Sequence, residues 1–549
     1  MCGIFGILNP GDISQNDIIN QYMKGINRGP ESHKYIHKTS EFIGFHRLAI
    51  NGLDEESNQP LKIGNVTLIC NGEIYNYKEL FRELGVEPIT NSDCEVIAHL
   101  YIKYGMEYTL QLLDGVFSFA LFDYPHCFVA RDHIGIRPLY YVESLDDQSK
   151  YHYHFASELK CINWFHKRHL MQNQHSTYGQ FKPGTYKTWT KRDDDVWTFV
   201  KEKQYFKLIH SPPPSAMYTY ENVYDIIENH LTNAVQKQCI TTDRPIACLL
   251  SGGLDSSLIT ALVQENSQQN NVLLETYSIG LEGSEDLRHA QIVATYLGTN
   301  HTAITVTEEQ MLEVIPEVIC AIESYDVTTV RASIGNYLLG KYISKNSQAK
   351  VIFNGDGSDE LFGGYLYMDK CEDSIEFDRE TRRLLKYIHT FDVLRSDKCI
   401  SSHGLEPRTP FLDKYLINAY LSIPIDMRYN IHKLGGKHIV RQGFRRVSSK
   451  TNKALLPDTV LWRKKEAFSD GVSQMDRSLF TIIQEHIAKK PQYAQYKGVD
   501  LEKKYYKDIF EKTYSHMEYI LPFYWMPKYT LTDDPSARTL DHYLSSSKI

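Results

Sequence analysis

The chain has 549 residues, 42% of them hydrophobic and 23% charged, with a net charge of −8. That length exceeds a single hydrophobic core and requires two or more domains. The acidic balance excludes a basic field for general nucleic-acid binding, and no apolar run approaches the ~18 residues that span a bilayer. Residues 66–70 read as a strand that breaks at Asn71-Gly72, a common hairpin dipeptide. Ser92-x-x-Glu95 has the form of a capping box, and Val96, Ile97, Leu100, Tyr101 and Tyr104 recur behind it at helical spacing. Residues 116–122 and 127–130 form a predicted hairpin through Tyr124-Pro125-His126. Residues 143–153 and the turn at 191–195 read as surface insertions. His152 and His154 share a strand face, as a satisfied or exposed pair rather than a metal site. The first two hundred residues are therefore α+β and rich in antiparallel strands.

Residues 211–215, Ser-Pro-Pro-Pro-Ser, form a stiff break. Beyond it, residues 245–250, 273–279 and 350–354 read as buried strands separated by helical patterns, which predicts a parallel sheet covered on both faces. The polar residues 529–549 are expected to fray. Ten cysteines carry no CxxC pair and no zinc-like spacing, and no secretory leader is evident, so a reducing cytoplasm is the expected compartment.

The N-terminal chemistry centres on Cys2. If Met1 is removed, Cys2 carries its own α-amine, with a pKa of roughly 7.7–8.0 beside a thiol of about 8.5. One residue then supplies both nucleophile and base. Asn71 offers a side-chain NH₂ and Gly72 an unshielded backbone N–H for an oxyanion. Arg47 and Asp93 are a natural pair for the carboxylate and ammonium of an amino acid. Each has a plainer reading: a buried thiol, a hairpin turn, a surface ion pair, an acid at a helix start. Together, the segments Arg28-Gly29-Pro30-Glu31-Ser32, His46-Arg47-Leu48-Ala49-Ile50, Asn71-Gly72-Glu73-Ile74-Tyr75-Asn76 and Ser92-Asp93-Cys94-Glu95 resemble the class II glutamine amidotransferases, N-terminal-nucleophile hydrolases. That resemblance implies Cys2 as nucleophile and Asn71 and Gly72 as oxyanion hole. It places Arg47, Leu48, Ala49, Ile50, Glu73 and Asp93 around glutamine.

In the second half, Ser251-Gly252-Gly253-Leu254-Asp255-Ser256-Ser257 follows a strand and opens a helix, which makes a phosphate cradle without Walker A spacing. Asn354-Gly355-Asp356-Gly357-Ser358-Asp359-Glu360 also follows a strand and crowds carboxylates that call for a cation. Asp255 and Asp359 meeting over one Mg²⁺ at the sheet's carboxyl edge is the simplest arrangement. These loops resemble the pyrophosphate-loop ATP pyrophosphatases and, within them, the asparagine synthetases. Glu323 to Ser333, Gly436 to Arg441 and Trp462 to Gly471 carry further parts of the likeness.

The resemblance implies ATP contacts at Leu250, Ser251, Gly252, Gly253, Asp255, Ser256, Ile279, Asn354 and Gly355. It implies an intermediate-forming acid at Asp356 and a pyrophosphate-side cation at Lys437. The chain departs from the family's Ser-Gly-Glu at Asn354-Gly355-Asp356, which sets that carboxylate one methylene back. The fold expected is an α+β N-terminal-nucleophile hydrolase domain with antiparallel sheet layers over residues 2–206 and a linker over 207–220. An α/β parallel-sheet pyrophosphate-loop domain is expected over 221–549. The expected substrates are glutamine, aspartate and ATP with Mg²⁺, without nucleic acid or membrane, in a possible homodimer.

Overall fold

The computed structural model describes residues 1–208, 217–267, 273–448, 451–463, 471–473 and 477–536. The proline-rich break, Lys464 to Asp470 of the last motif and residues 537–549 lie outside the described residues. Six antiparallel strands form the first sheet: β1 (Gly3–Leu8), β2 (Ser32–Lys38), β3 (Glu41–Arg47), β8 (Tyr140–Leu145), β9 (Tyr151–Ala156) and β10 (His175–Gln180), in the order β10-β8-β9-β1-β3-β2. A second holds β4 (Leu61–Ile63), β5 (Val66–Ile74), β6 (Gly115–Asp123), β7 (His126–Arg131), β11 (Thr185–Lys191) and β12 (Trp197–Gln204), in the order β12-β11-β7-β6-β5-β4.

Successive residues of a strand face opposite sides. Ile4, Leu8, Ile43 and Phe45 of the first sheet therefore meet Ile69, Ala120, Phe122 and Val129 of the second. Phe5, Ile7 and Phe42 turn outward beneath the helices Gln15–Met23 and Asn163–Met171. On the far side of the second sheet, Val96, Ile97 and Leu100 of the helix Glu95–Leu112 cover Leu68, Cys70 and Phe119. The result is two antiparallel sheets face to face with helices on both outer sides.

Several local expectations give way here. β5 does not break at Asn71-Gly72 but runs to Ile74, because both residues pair with β6, Asn71 opposite Ser118 and Gly72 opposite Phe117. Ser92 does not cap the following helix. The Glu95 carboxylate instead accepts the N–H groups of Ile89 at 2.8 Å and Thr90 at 2.6 Å, tying down the loop before it. Residues 143–153 are mostly the paired strands β8 and β9, since Tyr140, Val142, Tyr153 and Phe155 are core residues, and only the turn between them is an insertion. His152 is buried and satisfied by the Asn9 carbonyl at 2.5 Å and Asp146 at 3.0 Å. The tail does not fray from 529: Arg331 holds Asp534 at 2.8 Å, so the chain is anchored to residue 536.

A third sheet is wholly parallel: β13 (Ile246–Leu249), β14 (Glu275–Leu281), β15 (Asn300–Val306), β16 (Val351–Phe353) and β17 (Glu406–Arg408), in the order β15-β14-β13-β16-β17. One face, with Ala247, Leu249 and Ile279, packs on Val318, Ile322, Val330 and Ile334 of the helices Ile315–Ile322 and Val327–Asn346. The other, with Cys248, Val351 and Phe353, packs on Ile227, Leu231, Leu258 and Leu262 of the helices Tyr220–Ile240 and Leu254–Ser267. Because β13 pairs directly with β16, the loops that leave their carboxyl ends are neighbours. Among the described residues, no helix is long and apolar enough to cross a membrane.

Candidate active sites

Cys2 immediately precedes β1, whose first residue pairs with His46, so the thiol lies beside the end of β3. Its Sγ donates to the Leu48 carbonyl at 3.3 Å, and its own carbonyl accepts from Arg28 Nε at 2.7 Å. Burial pushes the Cys2 thiol up to about 11, although the neighbouring N-terminal amine pulls it back. With Met1 in place that amine belongs to Met1, donates to the Leu405 carbonyl at 3.2 Å, and is lowered by burial to about 5. The thiol is thus protonated at neutral pH and requires a base before it can attack.

Across the sandwich, β5 carries the fully buried Asn71, whose side-chain NH₂ donates to Ser157 Oγ at 3.3 Å. Asn71 Oδ1 is buried without a partner. Burial raises the Glu73 carboxyl well above the usual range, Asp93 and Glu406 add to the rise, and Arg408 at 3.6 Å opposes it. Asp93 is likewise pushed up by burial to about 6, against the Ile74 N–H it accepts at 2.7 Å. Two buried acids lie close enough to raise each other's affinity for a proton, with Arg408 as the opposing cation. Arg47 is buried and donates to the Gly52 carbonyl at 2.5 Å. Residues 48–50 are fixed from the other half of the chain: Arg244 donates to the Ala49 carbonyl at 2.7 Å and Asp243 N to the Ile50 carbonyl at 2.9 Å.

The second site is a cavity of about 450 Å³ at the carboxyl edge of the parallel sheet. It is lined by Leu250, Ser251, Gly253, Asp255, Ser256, Ile279, Asn354, Gly355, Asp356, Asp359 and Lys437. Gly252 is not on the lining; its Cα packs against His289 and Ala290. The two loops touch where Gly355 meets Asp255, and a Cβ there would stand 2.8 Å from the Asp255 carbonyl carbon. Ser251 Oγ and Ser256 Oγ lie 3.0 Å apart at the mouth of the cradle. Lys437 Nζ sits 2.6 Å from Asp255 Oδ2 and 2.6 Å from Asp359 Oδ1. Two carboxylates from the first turns of the helices Leu254–Ser267 and Ser358–Phe362, on one cavity, suit Mg²⁺, which takes one or two protein carboxylates and completes its shell with phosphates and water.

The cavity lining also carries a group that the sequence motifs do not mark. Arg395, from the helix Asp392–Ser401, donates to Asp356 Oδ1 at 3.0 Å and Asp392 Oδ1 at 3.1 Å. These two acids outweigh burial and hold the guanidinium charge firmly. Asp356 Oδ2 is buried with no hydrogen-bond partner. Burial and the adjacent Asp392 and Asp359 push the Glu360 carboxyl well up, and Tyr365 donates to it at 2.5 Å.

The same helix reaches the first site. Ser396 Oγ accepts from Asn354 Nδ2 at 2.8 Å, and Asp397 accepts from Arg28 through both oxygens at 2.7 and 3.0 Å. Lys398 pairs with Glu158 at 2.9 Å and Glu323 at 2.6 Å. Residues 395–398 thus contact Asp356, Asn354 and, through Arg28, the Cys2 carbonyl.

Comparison with known proteins follows this two-site layout. The family described as Asparagine synthase matches residues 227–377 and 369–520, and the family described as Glutamine amidotransferase domain matches residues 1–190. Asparagine synthetase (glutamine-hydrolyzing) of Gallus gallus is 38% identical over 578 residues, covering 100% of both chains. The Mus musculus protein of the same name is 38% identical over 584 residues and the Homo sapiens one 37% over 584, each again covering 100% of both chains.

Proposed function

The chain belongs to the glutamine-hydrolysing asparagine synthetase family, and on that premise we propose how its residues divide the reaction. The enzyme makes asparagine with glutamine as nitrogen donor and ATP as second substrate. Residues 2–206 form the glutaminase domain, 207–220 a linker and 221–549 the synthetase domain. Removal of Met1 puts the α-amine on Cys2, which takes the thiol proton as the sulfur attacks the glutamine side-chain amide. Asn71 NH₂ and Gly72 N–H receive the oxyanion. Arg47 takes the substrate carboxylate, while Glu73 and Asp93 take its ammonium. Ammonia leaves, and water hydrolyses the glutamyl thioester.

In the synthetase cavity the adenosine lies along Leu250 and Ile279, with the phosphates against residues 251–256. Asp255 and Asp359 would hold Mg²⁺, which would supply charge screening on the phosphates. Arg395 and the acids beside it, Asp392 and Glu360, complement the α-carboxylate and ammonium of aspartate. The aspartate β-carboxylate attacks the α-phosphorus, giving β-aspartyl-AMP and releasing pyrophosphate toward Lys437. Asp356, steadied by Arg395, faces the intermediate through its free Oδ2. Ammonia then displaces AMP, a far better leaving group than carboxylate oxygen. A closed path between the two sites would keep that ammonia unprotonated by excluding water. Ten reduced cysteines suit a cytoplasmic enzyme.

The observation that carries this reading is the meeting of residues 251–256 and 354–359 on one cavity, with Asp255 and Asp359 converging beside Asp356 and Arg395. Aspartate labelled with ¹⁸O in its β-carboxylate tests it. Transfer of one label to the AMP phosphate is the expected result; unlabelled AMP would exclude the acyl-adenylate.

A further inference from the structure

We propose that the Lys437 ammonium and a divalent cation compete for the same carboxylate oxygens, so that metal alone is held off until it arrives with nucleotide. This rests on the reading of Asp255 and Asp359 as metal ligands. The geometry makes the competition direct. Lys437 Nζ approaches Asp255 Oδ2 and Asp359 Oδ1 at 2.6 Å each. The remaining oxygen of Asp255, Oδ1, accepts from Ser358 Oγ at 2.8 Å. Both Asp255 oxygens are therefore engaged, and a cation that binds this carboxylate must share or displace one of those partners.

The lysine is held in place by more than charge. Its side chain is 3% exposed, against 17% and 18% for the two acids, so the ammonium is more enclosed than the carboxylates it bridges on the cavity lining. Its backbone has φ 60°, the left-handed region that a side chain with a Cβ enters only at an energetic cost. Gly364 lies directly beneath, where a Cβ would collide with Lys437 Cε and Asp359 Oδ1. The chain thus accepts a strained residue and a bare glycine to bring one ammonium to two carboxylates on separate helices.

The consequence follows from Coulomb's law in a partly desolvated site. A divalent ion arriving alone must sit beside a fixed positive charge and share its ligands. An ion arriving on a nucleotide brings phosphate oxygens, which give the ammonium a new partner and let it leave the carboxylates. Lys437 therefore couples metal affinity to the presence of phosphate, in addition to neutralising pyrophosphate.

Binding of Mn²⁺ to the full chain without nucleotide, read from the free-ion electron paramagnetic resonance signal, tests this without turnover. Lys437→Met is expected to bind Mn²⁺ at least about tenfold more tightly than the unsubstituted chain, as loss of a unit charge at contact distance implies. Lys437→Gln serves as a second variant of similar shape, and circular dichroism verifies that each is folded. Adding Asp255→Asn to Lys437→Met should abolish the gain. Folded Lys437 variants that bind Mn²⁺ no more tightly than the parent would overturn the competition while leaving the metal ligands in place. Undiminished binding in the double variant would instead remove Asp255 from the metal site and overturn the reading beneath it.

Discussion

Replacement of Arg28 by methionine removes a cation that ties the Cys2 backbone to Asp397 in the second half of the chain. Its guanidinium donates to the Cys2 carbonyl at 2.7 Å, to Asp397 at 2.7 and 3.0 Å, to Ser401 at 2.8 Å and to Glu158 at 3.1 Å. Arg28 and Asp397 side chains are each 1% exposed. Breaking a buried pair by deleting one partner costs about 3–5 kcal/mol, because the other charge is stranded. Here neither acid is stranded completely: Asp397 keeps Arg137 at 3.4 Å, and Glu158 keeps Lys398 at 2.9 Å and Lys160 at 2.7 Å. The loss therefore falls at the lower end, about 3 kcal/mol. At ~2–4 °C per kcal/mol for a unit of this size, melting should drop by about 6–12 °C. Loosening of the Cys2 carbonyl should cut glutaminase kcat at least about tenfold, equivalent to ~1.4 kcal/mol at the barrier. Ammonium-dependent synthesis should stay within a factor of about three. Lysine at this position should rescue little, since a point charge cannot reproduce the two-pronged contact with Asp397. Calorimetry and the two nitrogen-donor assays read these effects. Unchanged melting together with unchanged glutaminase would refute the reasoning.

Arg395→Lys should raise KM for aspartate at least about tenfold with little change in glutaminase, because ammonium lacks the guanidinium's spread of donors; an unaltered aspartate KM would count against Arg395. Asp255→Asn should block pyrophosphate release with either nitrogen donor, and full release would remove Asp255 from the metal role. Burial, then the charge of His33, lowers His46 to about 3 from its ordinary 6.5. Unfolding therefore takes up a proton there below pH 6.5, and the stability that neutral His46 confers is full above that pH and shrinks as pH falls toward 3. The melting gap between the native chain and His46→Asn should accordingly narrow from pH 7.5 to 5.5; a widening gap would contradict the assignment.

What was legible in the sequence depended on how local the signal was. Residues 249–257 read correctly as the end of a strand, a turn and the start of a helix because the hydrophobic pattern and the glycines lie side by side. Cys2, Asn71 and Asp93 could be grouped only through the family resemblance, since three separate segments deliver them. Asn71-Gly72 misled because its hairpin preference yields to pairing with β6, a tertiary contact that no local rule contains. Arg395, Asp397 and Lys398 were missed for a related reason. A run with so many charges reads as a solvated face, yet the three residues are 8%, 2% and 1% exposed. Their partners are Asp356, Arg28, Glu158 and Glu323, remote in sequence, and only the fold assembles the charges that make such burial tolerable.

The central claim is that nitrogen is released at Cys2 and used in the cavity at the carboxyl edge of the parallel sheet. The most direct measurement is asparagine formation by Cys2→Ala with glutamine and, separately, with ammonium salt. The account predicts no synthesis from glutamine and near-native synthesis from ammonium. Equal loss of both, or persistence of the glutamine-driven reaction, would contradict it.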